Sequence, residues 1–146
     1  MLSEINLIIT RDLNRLHEEI RGFQQEENLW RVSGHIANSA GNLCLHLVGN
    51  LNTYIGANLG GSGYVRNREA EFSLRDLSKT HLLDQVTQVR DTVAHTLEQL
   101  TEEQLHHPYP EQVLGYEMST GFFLMHLLGH MNYHLGQINY LRRVLE

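Results

Sequence analysis

The sequence is poor in cysteine, in proline and in positive charge. Its single cysteine, Cys44, excludes an internal disulfide framework and a cysteine-rich zinc ribbon. Eleven Lys and Arg residues against 17 Asp and Glu residues give a net charge of −6, which argues against binding to nucleic acid or to an anionic membrane. No apolar run approaches the ~20 residues that span a bilayer, and charged side chains interrupt the start of the chain. We therefore expect a cytoplasmic protein.

Histidine, by contrast, is abundant, with ten histidines in a chain that has only 11 Lys and Arg residues. The length of 146 residues corresponds to one domain, so residues 1–146 are predicted to form a single unit. A hydrophobic content of 41% and a charged content of 19% are typical of a globular protein. Because histidine is the commonest metal ligand, the composition directs attention to metal binding.

Four long segments carry apolar residues at three- and four-residue steps, which predicts an all-α protein. The segments cover about 2–23, 33 or 35 to 58, 79–100, and 119 or 120 to 144. Ser3 is the predicted cap of the first helix. Four helices joined by two long connections, with no strand pattern and no internal repeat, predict a four-helix bundle.

The connection after the second helix begins with the glycine-rich run 60–63, and about fifteen residues with little periodicity follow. This length can cross the end of a bundle. Arg66 and Arg68 could bind an anion together with backbone N–H groups of the glycines, but the absence of a phosphate-loop pattern favours a flexible connection. Further along, residues 101–104 have the pattern of a capping box that opens a short extra turn.

Three of the histidines have apolar neighbours. His46 lies in the middle of the second helix, and His130 and His134 lie in the fourth. Side chains four residues apart lie one above the other on a helix, so His130 and His134 can present two nitrogens to one ion. His46 from a facing helix would complete a three-histidine site with one position open for water. The alternative is a core that contains hydrogen-bonded histidines.

Of the other seven histidines, six are predicted to be solvated or hydrogen-bonded, and the seventh, His126, is considered separately. Six of them lie in polar surroundings, namely His17, His35, His81, His95, His106 and His107. His126 extends the row of the fourth helix, but His126 and His134 lie ~12 Å apart along the axis. Both cannot bind one zinc ion while His130 lies between them. Spacing alone leaves open which end of the row is outside the ligand set.

Residues 130–137, His-Met-Asn-Tyr-His-Leu-Gly-Gln, resemble the His-x-x-x-His-x-Gly-Gln signature in the last helix of the DinB/YfiT-like superfamily. His46 falls where the family carries a histidine in its second helix. Residues 42–51 and the pattern Arg68-x-x-Glu71-Phe72 resemble one bacterial branch of that superfamily. The resemblance covers nearly the whole chain.

This resemblance implies an up-down-down-up bundle that commonly forms a homodimer. It also implies one divalent metal ion on His46, His130 and His134, with zinc as the first choice and nickel or iron as alternatives. His126 would then lie outside the ligand set, beside the ligands. Characterised relatives include enzymes that use bacillithiol or mycothiol, so a low-molecular-weight thiol is a candidate substrate.

Two positions depart from the common family pattern. Many members carry Glu after the first histidine of the signature and a basic residue after the second, where this chain has Met131 and Leu135. Met131 also excludes a His-Glu-x-x-His zinc protease, whose glutamate is the general base. The metal prediction stands because the nitrogens remain, but the sequence predicts no base beside the ion.

Polar residues near the predicted ligands could orient them. Asn42 and Asn50 lie one turn on either side of His46, and Gln137 lies near His134. Ligating histidines usually donate their second N–H to such groups. Capping of buried backbone or contact with solvent is an equal alternative for these amides. Cys44 points to another face of its helix and is expected to be a small buried residue.

Two hypotheses for function follow from these observations. The first is a metal-dependent enzyme that catalyses thiol S-transfer or hydrolysis at the three-histidine site. The second is a non-catalytic bundle that uses the metal, or the histidines alone, for structure or for homodimer formation. The missing base favours the second hypothesis.

Overall fold

The computed structural model describes all 146 residues, and five α-helices account for most of them. The helices are α1 (Leu2–Arg21), α2 (Ala40–Leu51), α3 (Arg68–Ser73), α4 (Lys79–Gln99) and α5 (Thr120–Leu145). A π-helical turn, Asn52–Ala57, continues α2, and two 3-10 turns cover Glu26–Trp30 and Glu103–His106. None of the helices is both long and apolar enough to cross a membrane.

Contacts between helix ends fix the directions of α1, α4 and α5. The start of α1 meets the end of α4, where the Leu2 N–H donates to Glu102 at 2.8 Å, so α1 and α4 are antiparallel. By contrast, α5 is parallel to α1, because Asn132 donates to Asp12 and, further along both helices, Asn139 donates to Glu19.

Helix α2 runs antiparallel to α5. His46 contacts His130, and the later residue Tyr54 packs on the earlier residue Phe123 with ring centroids 5.3 Å apart. The four long helices therefore run up, down, down and up in chain order, which confirms the predicted four-helix bundle. Two consecutive long helices, α2 and α4, run in the same direction, so the chain must return along the bundle between them. The short helix α3 lies on this return path and packs on α2.

The core explains why α2 is the most apolar helix. Apolar side chains of α1 at three- and four-residue steps, such as Ile9, Leu13 and Leu16, are fully buried among 32 core residues. Every residue of α2 from Ala40 to Leu51 is buried, because the other long helices cover one side and α3 covers another. Polar side chains of α2 must therefore find partners inside the protein.

The predicted start of the second helix at 33 or 35 is wrong, since α2 begins at Ala40. Gly34 adopts a positive φ of 57°, which breaks a helix, and the Ser39 side chain caps α2 by accepting from the Asn42 N–H. The Trp30 ring packs so closely on Gly41 that a Cβ there would lie 2.7 Å from it. The predicted cap at Ser3 is also wrong, because α1 already begins at Leu2.

The connection after α2 is more ordered than predicted. Residues Arg68–Ser73 form α3, which the Asn67 side chain caps by accepting from the Ala70 N–H. A helix of six residues is too short to show an apolar period, so the pattern missed it. The capping box is confirmed, since Thr101 and Gln104 exchange hydrogen bonds between side chain and backbone.

A buried carboxylate ties α1 to α5. Asp12 accepts from Arg11 at 2.8 Å and from the Asn132 amide at 2.8 Å, and Arg15 lies 3.3 Å away. Burial alone would raise the pKa of Asp12, but the hydrogen bonds from Arg11 and Asn132 hold that pKa below its ordinary value of 3.8. Asp12 is therefore ionised at neutral pH.

We expect Asp12→Ala to lower the free energy of unfolding by about 2 kcal/mol at pH 7, because buried hydrogen bonds to a charged group contribute about 1.5–3 kcal/mol. Since folding lowers the pKa, this contribution is complete above pH 3.8 and is lost as the pH falls below it. Urea denaturation measures the difference. Asp91, which pairs with Arg90 on the surface, is the control, and Asp91→Ala should change stability by less than about 0.5 kcal/mol. Equal effects of the two substitutions would contradict the prediction.

Candidate metal centre

Three histidines from two helices converge on one point. His46 is buried on α2, and His130 and His134 are half-buried, one turn apart on α5. Each offers a ring nitrogen, and these three atoms all lie within 4.8 Å of one another. The structure thus brings together the three residues that the sequence analysis grouped.

The spacing of the nitrogens matches that of ligands on one ion. The Nε2 atoms of His46 and His130 lie 3.1 Å apart. Two nitrogens that each lie ~2.0–2.1 Å from a tetrahedral zinc ion are about 3.3 Å apart. Two lone pairs at such a distance repel each other unless a proton or a cation lies between them. A single proton shared by His46 and His130 would make no contact with His134, whereas one cation could bind all three rings.

The site also keeps His130 and His134 neutral. Burial lowers the pKa of His130 to about 4, and the neighbouring His134 and His46 rings act in the same direction. Burial lowers the pKa of His134 as well. Neutral imidazoles have a free lone pair, which is the form that binds metal. His130 and His134 could therefore bind a divalent cation at neutral pH without first losing protons.

A buried carboxylate orients His46. The His46 Nδ1 lies 3.0 Å from Oε1 of Glu71 on α3. Arg66 holds the same carboxylate through Nε at 2.8 Å and Nη2 at 2.9 Å. Burial alone would raise the pKa of Glu71, but the hydrogen bonds from His46 and Arg66 hold it below the ordinary range. Because an ionised carboxylate only accepts, the proton is on Nδ1, and the Nε2 lone pair faces His130.

Gly49 provides the space that this carboxylate occupies. It lies three residues after His46 on α2, and therefore on nearly the same face of the helix. A Cβ at this position would overlap the carboxylate of Glu71. The absence of a side chain at Gly49 is thus a condition for the contact between Glu71 and His46.

Gln137 orients His134 in the same manner. The His134 Nδ1 lies 2.7 Å from the Gln137 Oε1, which accepts its proton. This is one of the contacts expected from the sequence. His46 and His134 thus both present Nε2 to the centre. The Nδ1 of His130 is buried and has no hydrogen-bond partner within the chain.

The other polar candidates have different roles. Asn42 makes no hydrogen bond with His46, and instead its amide donates to the carbonyls of Glu71 and Leu74 at 2.9 Å each. It therefore anchors α3 and acts on His46 only through Glu71. Asn50 is buried, but its Oδ1 has no partner.

His126 and Cys44 lie outside the cluster. The exposed His126 ring stacks on Phe123, with its centroid 6.3 Å from that of His130. It does not belong to the group of nitrogens that converge. Cys44 is fully buried, and burial raises the pKa of its thiol to about 12. This thiol is protonated at neutral pH and cannot act as a nucleophile.

Sequence reasoning missed the role of Arg66 and Glu71. The sequence offers Arg66 as a candidate for an anion site, but its guanidinium is engaged by Glu71. Glu71 stands out in the sequence only through the pattern that it forms with Arg68 and Phe72. The one local signal for this contact is Gly49, a residue without a side chain on the His46 face of a buried helix.

Comparison with known proteins identifies the family. The family model of the DinB superfamily matches residues 11–138, which is most of the chain. No curated protein matches it at a significant level.

Solved structures agree on the fold. A DinB-like protein from Bacillus subtilis has a TM-score of 0.72 at 18% identity, with 97% of this chain and 92% of that chain covered. A DinB-like protein from Bacillus cereus has a TM-score of 0.69 at 18% identity, with 92% and 85% covered. A conserved protein from Enterococcus faecalis has a TM-score of 0.68 at 19% identity, with 92% of both chains covered. On the match to the family model and on this shared fold, the chain belongs to the DinB superfamily.

Proposed function

We propose that this protein is a metal-dependent enzyme that binds one divalent ion per chain through His46, His130 and His134. Zinc is our first choice, with nickel or iron as alternatives, because imidazole sites accept all three metals. The proposal is carried by one observation, the convergence of three imidazoles, two of which have their outer nitrogens held by Glu71 and Gln137. Histidine ligands in metalloproteins are oriented by partners of this kind.

The expected chemistry is thiol S-transfer or hydrolysis. A zinc ion held by His46, His130 and His134 with one open position would lower the pKa of a bound water to about 7 and would stabilise a thiolate in the same way. In an S-transfer, the thiolate sulfur would form a bond to an electrophilic carbon, the leaving group would depart with the electron pair of its bond, and the thiol proton would go to solvent.

The protein's own residues favour S-transfer over hydrolysis. Glu71 is the buried carboxylate of the site, and both of its oxygens are engaged by Arg66 and His46. It therefore positions His46 and is not free to accept a proton from water. Met131, which stands where many relatives carry Glu, is buried in the core. A thiolate needs no such base, because it is already the nucleophile.

The proposal is tested on protein purified without a histidine tag and reconstituted with zinc. A panel of low-molecular-weight thiols is assayed with a chromogenic electrophile, and esters are assayed in parallel. We expect turnover that is lost on treatment with a chelator, restored by zinc and absent in His134→Ala. A fully negative panel from protein that contains stoichiometric zinc would contradict the enzymatic proposal.

The alternative is a non-catalytic bundle in which the metal has a structural role. The engagement of Glu71 favours this alternative, because no free base remains beside the histidines. Thermal melts with and without chelator separate the two proposals. A structural ion that joins α2 to α5 should raise Tm sharply, whereas an ion at an open catalytic site should have a smaller effect.

Glu71→Gln should weaken zinc binding about 10-fold, because the neutral amide orients His46 less strongly and removes the negative charge that increases its basicity. Competition with a chromophoric chelator measures the affinity. Glu69→Gln, an exposed position on the same short helix, is the matched control and should leave the affinity unchanged. Equal zinc affinity for Glu71→Gln and the unsubstituted protein would show that the carboxylate does not support the ligand.

A further inference from the structure

A groove of about 540 Å³ lies beside the histidine cluster. It runs between the segment that precedes α2 and the second half of α5, and His134 and Gln137 form part of its wall. Most of the remaining wall is apolar or aromatic, made by Ile36, Leu43, Tyr133, Tyr140, Leu141 and Val144. Sites for small molecules typically measure about 300–1,000 Å³ and have such walls. In size and composition, the groove therefore fits a small molecule.

The wall of this groove carries no charged residue. Its polar members are His35, Asn38, His134 and Gln137, and it includes no Lys, Arg, Asp or Glu. The Arg143 guanidinium lies over the Tyr140 ring, 5.9 Å from the centroid, but Arg143 is not one of the residues that form the wall. A charged ligand would lose water here without gaining a counter-charge, which is unfavourable. The groove therefore selects for an uncharged ligand body.

Three large side chains of the groove are mostly exposed to solvent. Tyr133 is 65% exposed, Tyr140 is 70% exposed and Val144 is 60% exposed. The two tyrosines are seven residues apart and thus lie on the same face of α5. Their rings offer flat surfaces on which an aromatic group can stack, and a bound molecule would remove their apolar area from water.

We infer that this groove binds the body of the substrate, an uncharged aromatic or aliphatic group whose polar head reaches His134. The part of this inference that concerns the head rests on the proposed function, and the part that concerns the body does not. The occupant is a small molecule because the groove has the volume of such a site and is continuous with the histidine cluster.

The test uses the full chain loaded with Co²⁺, whose visible absorption changes when a thiolate binds to it. Two thiols of similar acidity are titrated, phenylmethanethiol and 2-mercaptoethanesulfonate, which share the sulfur head but differ in charge and in apolar area. We expect phenylmethanethiol to bind at least about 10-fold more tightly, because its ring is buried in the groove.

A charge placed in the groove should weaken this preference. Tyr140→Lys replaces an exposed side chain, so the fold should be retained, and we expect the preference for phenylmethanethiol to fall at least about fivefold. Tyr116→Lys, at an exposed tyrosine outside the groove, is the matched control and should leave the preference within about twofold of its original value.

Two results would overturn the inference while leaving the proposed function intact. One is equal binding of the two thiols to the unsubstituted protein. The other is an equal preference in Tyr140→Lys and Tyr116→Lys. If Tyr140→Lys then also turned a dimer into a monomer in sedimentation, the wall of the groove would be an interface between two copies of the chain.

If neither thiol changes the cobalt spectrum, the proposed open position is wrong, and the groove is tested without metal. Saturation-transfer NMR of 2-phenylethanol should then give a signal that Tyr140→Lys removes and Tyr116→Lys retains. The absence of a signal with the unsubstituted protein would overturn the inference.

Discussion

Replacing His130 with alanine is expected to weaken zinc binding by at least about 100-fold. His130 contacts both of the other rings, with its Nε2 3.1 Å from that of His46 and its centroid 4.6 Å from that of His134. A zinc-binding free energy on the order of 10 kcal/mol, shared among three protein ligands, loses roughly 3 kcal/mol when one of them is removed. Metal content after dialysis and competition with a chromophoric chelator both measure this loss.

His126→Ala is the matched control for this substitution. His126 is the same type of residue, one turn earlier on the same helix, but it is exposed and stacks on Phe123 outside the cluster. The zinc affinity of His126→Ala should therefore remain within about threefold of the original value. If His126→Ala lost the metal and His130→Ala retained it, the assigned ligand set would be wrong.

The second large effect is expected from Gly49→Ala, a substitution that normally stabilises a helix by about 0.5–1 kcal/mol. Here the added methyl group would overlap the carboxylate of Glu71, which is buried between His46 and Arg66. Either α2 must shift or the carboxylate must leave, and the guanidinium then loses its partner. We expect the free energy of unfolding to fall by about 3 kcal/mol, as measured by urea denaturation, and zinc affinity to fall with it.

Gly129→Ala is the control for this prediction. A Cβ at Gly129, on the exposed face of α5, would meet no atom within 4 Å. This substitution should leave stability unchanged or raise it by about 0.5–1 kcal/mol, as expected for an open helical position. Equal stability of Gly49→Ala and Gly129→Ala would contradict the packing of Glu71 against α2.

The parts of the fold that were predictable from sequence are those with a long repeating pattern. Helices α1, α4 and α5 each repeat their apolar residues over five turns or more, and their observed bounds lie within about two residues of the predicted ones. Apolar spacing does not predict the start of α2, because it depends on the cap at Ser39 and the positive φ of Gly34, which are local features of the backbone.

The candidate site, too, is only partly predictable from the sequence. The pairing of His130 with His134 follows from helical spacing, but the choice of His134 over His126 does not. That choice depends on where α2 crosses α5, since His46 packs against His130 and His134. The contact between Glu71 and His46 joins residues from two elements, one of them too short to carry a periodic signal, so no pattern in the sequence specified it.

Anomalous diffraction from crystals grown with zinc, with data on both sides of the zinc absorption edge, tests the central claim most directly. The predicted result is one strong peak per chain at about 2.0–2.1 Å from the Nε2 atoms of His46, His130 and His134. Glu71 should still contact the Nδ1 of His46 in that crystal. The absence of a peak at this cluster, or a peak on other histidines such as His126, would contradict the claim that these three side chains form a metal site.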